Sequence, residues 1–325
     1  MHTRSELREL LNATLPSRSR FEVPLSELSR WRIGGLAAAI VEPESAEETA
    51  QVLQRLSSSD IPLLVVGDMS NLLFDSAGFR GVILRISSTM AGVEICGTRV
   101  RSRAGVSVPT LARTTADAGL SGLEHAVGIP GTLGGLVAMN GGSQRKGIGL
   151  NVDRVICLDR SGGRISLSQE ECEFGYRSSV IQRMDAVIVE VDLHLEKASP
   201  SQVHASMDEV METRRSRFPE QLPNCGSTFL SDPGMYDTVG PPGRAIESVG
   251  LKGYVHGGAQ ISPQHANFVV NRGGATSDDV LNVIQHARQR VFDETGFMMD
   301  CEVRYVSPTG DVMPAHKAVP SLQRS

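Results

Sequence analysis

Gly128-Ile129-Pro130-Gly131-Thr132-Leu133-Gly134-Gly135-Leu136-Val137-Ala138-Met139-Asn140-Gly141-Gly142 is the densest run of small and turn-forming residues in the chain, and it carries no charge. A backbone with so few side chains can come close to a ligand and turn its N–H groups on an anionic group such as a pyrophosphate. The same composition also suits a tight structural turn beneath a neighbouring strand. What accompanies the run elsewhere in the chain separates the two readings.

Immediately upstream, 108–118 has helical spacing and stops at Gly119, and 93–104 alternates as paired strands. Further out, 46–56 places Ala46, Ala50, Val52, Leu53 and Leu56 at helical spacing behind Pro43 and Ser45. Segments 61–66 and 81–86 read as short strands, the first followed by the turn Gly67-Asp68-Met69-Ser70-Asn71. Downstream, 152–158, 164–167 and 186–195 read as strands of a second sheet. A helix is expected over 203–217, stopped by Pro219, and a shorter one over 245–249, ended by Gly250. The clearest amphipathic helix is 277–294, with Ser277 as its cap and Val280, Ile284, Ala287 and Val291 on one face. Segment 299–305 closes as a strand containing Glu302, and the polar tail after Pro308 is expected to fray. This mixture belongs to an α+β or α/β protein. The polar, Pro-containing stretch 197–202 is the expected boundary between domains.

With 325 residues, 40% hydrophobic and 21% charged, the chain can bury a large core in two domains or in one domain with subdomains. A net charge of −5 argues against nucleic acid or an anionic membrane as partner, while a local Arg cluster can still hold a small anion. The N-terminal segment has no apolar h-region and no apolar run reaches about 18 residues, so neither a signal peptide nor a membrane span is expected. Cys96, Cys157, Cys172, Cys225 and Cys301 are scattered without C-x-x-C spacing. That pattern gives no metal site and no disulfide framework, and it fits reduced thiols in the cytoplasm. The G-x-G-x-x-G, Walker A, H-E-x-x-H, EF-hand and G-x-S-x-G patterns do not occur. The eight histidines are dispersed, and His265, beside apolar residues, reads as structural.

Three loops suit a nucleotide-type cofactor through bare amides and short polar side chains: 67–71, 128–135 and Asn140-Gly141-Gly142. Three further places set polar groups among apolar neighbours. These are Tyr176-Arg177-Ser178-Ser179, Asn224-Cys225-Gly226-Ser227-Thr228-Phe229, and Glu302 between Cys301 and Val303. An ordinary salt bridge accounts equally for Arg177 or Glu302, and a turn-capping hydroxyl for Ser227.

Several motifs occur in a fixed order: G-x-x-S-N-L-L from Gly67, G-L-x-G-L-E-x-x-x-G-I-P-G-T-x-G-G from Gly119, Y-R-x-S from Tyr176, G-S-T-F from Gly226, G-L-K-G from Gly250, H-A-N-F-V-V-N from His265, and a late Glu302-Val303. In this order they resemble the UDP-N-acetylenolpyruvoylglucosamine reductase family, over nearly the whole span from Arg30 to Tyr305. The resemblance implies an α+β fold: an FAD-binding fold of the vanillyl-alcohol-oxidase type, in two α+β subdomains, followed by a C-terminal α+β substrate-binding domain. On that reading 1–20 is an N-terminal extension and 21–197 the FAD-binding domain, with subdomains at about 21–87 and 88–197. Residues 198–306 form the substrate-binding domain and 307–325 a polar tail. The resemblance further implies non-covalent FAD, NADPH as co-substrate, and reduction of the enolpyruvyl ether of UDP-N-acetylglucosamine to the lactyl ether of UDP-N-acetylmuramate, for peptidoglycan. The partner is then a small nucleotide sugar, and the protein a cytoplasmic monomer or weak oligomer.

The resemblance also assigns residues. It gives FAD contacts to Gly67, Asp68, Met69, Ser70, Asn71, Gly128, Ile129, Pro130, Gly131, Thr132, Gly134, Gly135, Asn140 and Gly141. It gives substrate contacts to Tyr176, Arg214, Arg217 and Asn267; the two arginines, three apart on one helix face, suit a diphosphate or equally a solvated helix end. Ser227 takes the place of the proton donor, and serine is a poor acid that needs a neighbouring cation or a proton relay. Arg177 and Glu302 face the carboxylate on which negative charge develops; a protonated Glu302 requires a raised pKa.

The chain also departs from the family pattern. Met69 stands where the family has a second glycine, so a side chain is expected to crowd the pyrophosphate. Leu230-Ser231-Asp232-Pro233 lacks the usual lysine, 236–243 adds Gly and Pro, and the interval from Arg177 to Ser227 resembles the class without an extra Tyr-bearing loop. Met69 and Leu230 keep open a divergent paralogue acting on a related nucleotide sugar in surface-polysaccharide or natural-product synthesis. A non-catalytic flavin or nucleotide-sugar binding protein is the reading from another class. Against it stands the joint presence of Arg177, Ser227 and Glu302.

Overall fold

The computed structural model describes residues 4–236 and 238–319; positions 1–3, 237 and 320–325, the ends of the expected extension and tail among them, lie outside the described residues. The chain divides into two compact units built from interleaved segments. The first takes residues up to Phe21, Ala39–Asp68 and Val82–Arg214; the second takes Glu22–Ala38, Met69–Gly81 and the residues from Arg215 onward. This differs from the contiguous domains drawn on the sequence. A helix, Pro200–Arg217, begins inside the stretch read as a linker. Proline there opens the helix at a position where its missing N–H costs nothing.

In the first unit, the Ser45 hydroxyl accepts from the Glu48 N–H and starts the helix Ala46–Ser57, whose Val52, Leu53 and Leu56 are buried. The strand Leu63–Val66 follows and runs parallel to Phe79–Arg85, with Leu63 opposite Val82. They lie in a four-stranded sheet ordered Ser19–Pro24, Leu36–Val41, Phe79–Arg85, Leu63–Val66. A five-stranded antiparallel sheet has the order Arg164–Ser168, Val152–Asp159, Ala186–His194, Arg99–Arg103, Val93–Cys96. Its central strand buries Val187, Ile188, Val189, Val191 and Leu193. The helix Val108–Asp117 buries Leu111, Ala112, Thr115 and Ala116 and is capped by Ser107. Gly119 ends it at φ +70, a left-handed position that favours glycine.

The second unit holds a three-stranded sheet, Val255–His256, Ala259–Ile261 and Val269–Asn271, and the helix Ser277–Thr295. The cap of that helix is Thr276, one residue earlier than the sequence predicts. The Thr276 hydroxyl accepts from the Asp279 N–H while the Asp279 carboxylate accepts from the Thr276 N–H. Ser277 instead exchanges hydrogen bonds with Ser76, backbone N–H to hydroxyl in each direction. Val280, Ile284, Ala287 and Val291 are buried as the periodicity requires, in a cluster with Trp31, Leu73, Phe229, Ile246 and Val303. The Trp31 indole N–H donates to the Val269 carbonyl at 2.8 Å, across 238 residues of sequence.

The closing strand is shorter than expected. It spans Arg304–Val306, parallel to Leu72–Phe74 and antiparallel to Val312–Pro314, and Glu302 lies just ahead of it. The tail after Pro308 does not fray over its described part. Ser307 and Thr309 donate to the Asp311 carboxylate at 3.0 and 2.9 Å, so the polarity there is turn chemistry, and the returning strand delivers a fully buried Ala315. Among the described residues, no helix is long and apolar enough to cross a membrane, and no cluster of three or more His, Cys, Asp or Glu is placed to hold a metal.

Candidate active site

Gly67 leaves the strand Leu63–Val66 and meets the glycine-rich run at Thr132. The Thr132 hydroxyl caps the helix Leu133–Ala138 by accepting from the Gly135 N–H. A Cβ on Gly67 would stand 2.2 Å from Thr132 Oγ1, so the two loops touch where only glycine fits. The Gly134 N–H donates to the Ala104 carbonyl at 2.9 Å, and a Cβ there would crowd Ala104 at 3.1 Å. Gly131 adopts φ +140 and its carbonyl accepts from the Val108 N–H at 3.0 Å, tying the run to the neighbouring helix. Gly135 is exposed, and only Thr132 Oγ1, at 3.7 Å, would come near an added Cβ. Ile129 donates its N–H to Ala126, and Pro130 follows it, half-buried. Gly128 lies under Arg214, whose Cδ would be 2.2 Å from a Cβ at that position. Arg214 is therefore packed on the first glycine of the run. Asp68 lies 4.0 Å from the guanidinium of Arg85, a cation the sequence reading did not single out, which also pairs with Glu42 at 3.0 Å. The only available signal was an arginine at the end of an apolar strand.

The third loop and the Tyr-Arg motif form one cluster. Asn140 Nδ2 donates to the Gly175 carbonyl at 2.8 Å, and its Oδ1 accepts from the Gly149 N–H at 2.9 Å. Two backbone hydrogen bonds between Gly175 and Ser178 close a tight loop with Tyr176 and Arg177 at its tip. Arg177 holds φ +52, a left-handed conformation that costs a non-glycine residue about 1 kcal/mol. Its Nη2 donates to the Gly142 carbonyl at 3.0 Å, and its guanidinium carbon lies 5.3 Å from the centre of the Tyr176 ring. Gln182 donates to the carbonyls of Arg177 and Ala138 at 3.0 and 2.9 Å. Gly141 closes the cluster, with Leu136 Cδ1 2.6 Å from where its Cβ would stand.

In the second unit, the stretch after Gly226 (φ +77) runs alongside the one that carries Glu302. The Glu302 N–H donates to the Thr228 carbonyl at 2.9 Å, the Leu230 N–H donates to Asp300 at 2.8 Å, and Phe229 bridges Cys301. Glu302 thus stands beside Thr228, the buried residue that follows Ser227, and Glu302 and Ser227 are themselves half-buried. Asn71 Nδ2 donates to the Glu302 carbonyl at 3.2 Å, and the Asn71 carbonyl accepts from the Arg304 N–H at 3.1 Å. Ser70, half-buried, precedes it.

Asn267 is only 4% exposed. Its Oδ1 accepts from the Phe229 N–H at 2.9 Å and its Nδ2 donates to the Phe229 carbonyl at 3.0 Å. Both ends of the amide bond one backbone residue, which gives Asn267 a role in holding the Ser227 stretch. His265, which accepts the Asn267 N–H at 3.2 Å and packs on Phe218 and Phe268, is structural as read; burial holds its pKa below the ordinary value. Arg217 is exposed at the end of its helix. Met69 takes φ +52 and is 3% exposed. A left-handed backbone is why glycine suits this position; here methionine adopts it with its side chain buried instead of standing out from the loop.

Two family models match the chain. One, described as an FAD binding domain, covers residues 37–168; the other, described as the C-terminal domain of UDP-N-acetylenolpyruvoylglucosamine reductase, covers 218–306. UDP-N-acetylenolpyruvoylglucosamine reductase 1 of Corynebacterium glutamicum is 49% identical over 296 residues, spanning 91% of this chain and 88% of that protein. The chain belongs to the UDP-N-acetylenolpyruvoylglucosamine reductase family. The reductase of Heliobacterium modesticaldum is 37% identical over 301 residues, covering 93% of this chain and 95% of its own. Among solved structures, the reductase of Thermus caldophilus superposes with a TM-score of 0.75 at 30% identity, covering 88% of this chain and 99% of that one. These matches support the reductase reading and give none to a divergent paralogue or a non-catalytic binder. They bear out the α+β fold as an FAD-binding domain followed by the reductase C-terminal domain. The first unit's residues fit that cofactor. At Gly67 a Cβ has no room against Thr132, and at Gly135 the backbone is bare and open, as close approach to a pyrophosphate requires.

Proposed function

We propose that this chain reduces the enolpyruvyl ether of UDP-N-acetylglucosamine to UDP-N-acetylmuramate, with FAD bound and NADPH as reductant, in peptidoglycan precursor synthesis in the cytoplasm. The observation that carries the reading is Glu302 held beside the Ser227 stretch through the Thr228 carbonyl, in a member of the reductase family.

Gly67, Asp68, Met69, Ser70, Asn71, Gly128, Ile129, Pro130, Gly131, Thr132, Gly134, Gly135, Asn140 and Gly141 would hold the FAD. FAD bound there would supply the reducing equivalents for the enolpyruvyl group, with NADPH as their source. The side chains then manage the charge and the proton. Negative charge grows on the enolpyruvyl carbon that bears the carboxylate and spreads into that group. The planar fork of Arg177 receives that carboxylate; a fixed donor of this kind contributes about 10²–10³ in rate. Glu302, protonated, donates a hydrogen bond to the same group. The Ser227 hydroxyl gives its proton to the charged carbon and completes the lactyl ether, a step in which general acid catalysis contributes about 10²–10⁴. Solvent returns the proton to Ser227, so each turnover consumes one NADPH and one proton. Tyr176, Arg214 and Arg217 face the nucleotide sugar.

Stopped-flow absorbance of the yellow holoenzyme tests this. NADPH should bleach the flavin, and the enolpyruvyl ether should restore its colour. Ser227→Ala should keep the bleach and lose most of the recovery. A Ser227→Ala enzyme that recovers at the wild-type rate removes Ser227 from its role. A wild-type enzyme that this ether does not reoxidise removes the substrate.

A further inference from the structure

We propose that His316 is a positioning residue for Glu302, and that the chain beyond Val306 forms part of the active-site scaffold. The inference rests on the function proposed above. Ala315, His316 and Lys317 follow the span 218–306 matched by the reductase C-terminal model, so that match assigns them nothing.

The stretch Asp300–Val303 has two flanks. On one side Thr228 and Leu230 hold it through backbone hydrogen bonds. On the other, the hairpin Arg304–Val306 with Val312–Pro314 brings the turn Ala315–Lys317 alongside. The Ala315 N–H donates to the Val303 carbonyl at 3.0 Å. The Cys301 N–H donates to His316 Nδ1 at 2.9 Å. Glu302 lies between these two anchors, so its backbone cannot shift unless the tail shifts too. Cys301 is itself 3% exposed, and a buried N–H requires an acceptor. The imidazole, its side chain 9% exposed, provides one from fifteen residues downstream.

The acceptor role fixes the tautomer. With Nδ1 accepting, the proton sits on Nε2, which lies 3.3 Å from Asp300 Oδ1. Arg288, from the helix Ser277–Thr295, donates through Nε to the Met299 carbonyl at 2.6 Å and places Nη2 3.8 Å from the same Asp300 oxygen. The charged groups facing the ring are thus Asp300, Arg288 and, on its own turn, Lys317. A second proton on the ring would turn Nδ1 from acceptor into donor, opposite the Cys301 N–H. Burial, with Arg288 and Lys317 opposing Asp300, keeps the ring neutral to lower pH than usual.

The test uses the full-length holoenzyme with His316→Ala and His316→Asn, since the asparagine oxygen can take over the acceptor role of Nδ1. Flavin content, bleaching by NADPH and recovery with the enolpyruvyl ether are followed separately. His316→Ala should bind FAD and bleach at the wild-type rate, with recovery slowed roughly tenfold. His316→Asn should restore most of that loss. The inference is overturned if alanine and asparagine behave alike, or if both half-reactions slow together as general loosening would produce. Should His316→Ala not fold, the pH profile of His316→Asn decides: the wild-type acid limb of recovery should shift or vanish in the non-titrating variant, and an unchanged limb overturns the inference. A wild-type enzyme that the ether fails to reoxidise instead condemns the proposed function. Wild-type-like variants in an otherwise working enzyme condemn only the role of His316.

Discussion

Gly67→Ala places a methyl group 2.2 Å from Thr132 Oγ1, with Thr132 Cβ and Cγ2 at 3.3 and 3.4 Å. Gly67 does not have a positive φ, so the alanine backbone is unstrained and the cost falls on Thr132. Ordinary contact begins near 3.4 Å, and the hydroxyl must retreat by about 1.2 Å. Rotating it away surrenders the cap on the helix Leu133–Ala138, which costs about 1 kcal/mol. The crowding that remains at Cβ and Cγ2 costs about as much again. The sum, about 2 kcal/mol, should appear as roughly 30-fold weaker FAD binding if both loops hold the cofactor. Titration of the apoprotein with FAD, followed by flavin fluorescence, measures it. Thr132→Ala alone should weaken binding about fivefold through the lost cap. The double variant should be little worse than Thr132→Ala, because that change removes Oγ1 and Cγ2 together and leaves only Cβ, at 3.3 Å. Wild-type affinity in Gly67→Ala, or strictly additive losses in the double variant, would refute the idea that these loops brace each other at that point.

Other outcomes follow from the same reasoning. Arg177→Lys should retain FAD and NADPH oxidation while recovery with the enolpyruvyl ether falls about 10²-fold, since a point charge cannot replace a planar fork; unimpaired recovery in stopped-flow would take the carboxylate away from Arg177. Asn267→Leu leaves the Phe229 N–H and carbonyl buried without their partner, and should cost about 2–4 kcal/mol in urea unfolding; a raised KM with unchanged stability would return Asn267 to the substrate. Burial lowers the pKa of His125, His265 and His316 in the folded protein. The unfolded chain therefore takes up protons first. Their contribution to stability is intact above about pH 6.5 and is lost as pH falls toward the folded values, at up to about 1.4 kcal/mol per pH unit for each ring. Urea midpoints that stay level between pH 6.5 and 5.5 would contradict it.

The glycine run was legible because close backbone approach excludes side chains and so leaves a mark in composition. The helix Ser277–Thr295 was legible by periodicity, but its cap was misplaced by one residue because Thr276 and Ser277 carry the same chemistry and only the partner, Asp279 or Ser76, tells them apart. The tail misled for a related reason: Ser307, Thr309 and Asp311 look like solvated polarity until they are seen to close a hairpin that buries Ala315. Asn267 and His316 work by lending a side chain to backbone 38 and 15 residues away. Nothing local in the sequence records such a contact. Met69 looked like a departure in side-chain size, whereas its backbone angle is the property glycine serves at that position.

Trp31 is the only tryptophan in the chain, and its indole proton rests on a carbonyl that is synthesised 238 residues later. At translation rates of about 5–20 residues per second, that partner emerges roughly 12–48 s after the ring itself. The core around Trp31 therefore cannot close while the ribosome is still working through the middle of the message. A stalled or shortened nascent chain displays an orphaned aromatic surface of the kind chaperones hold. The protein's intrinsic fluorescence is in effect a clock for the completion of its own synthesis.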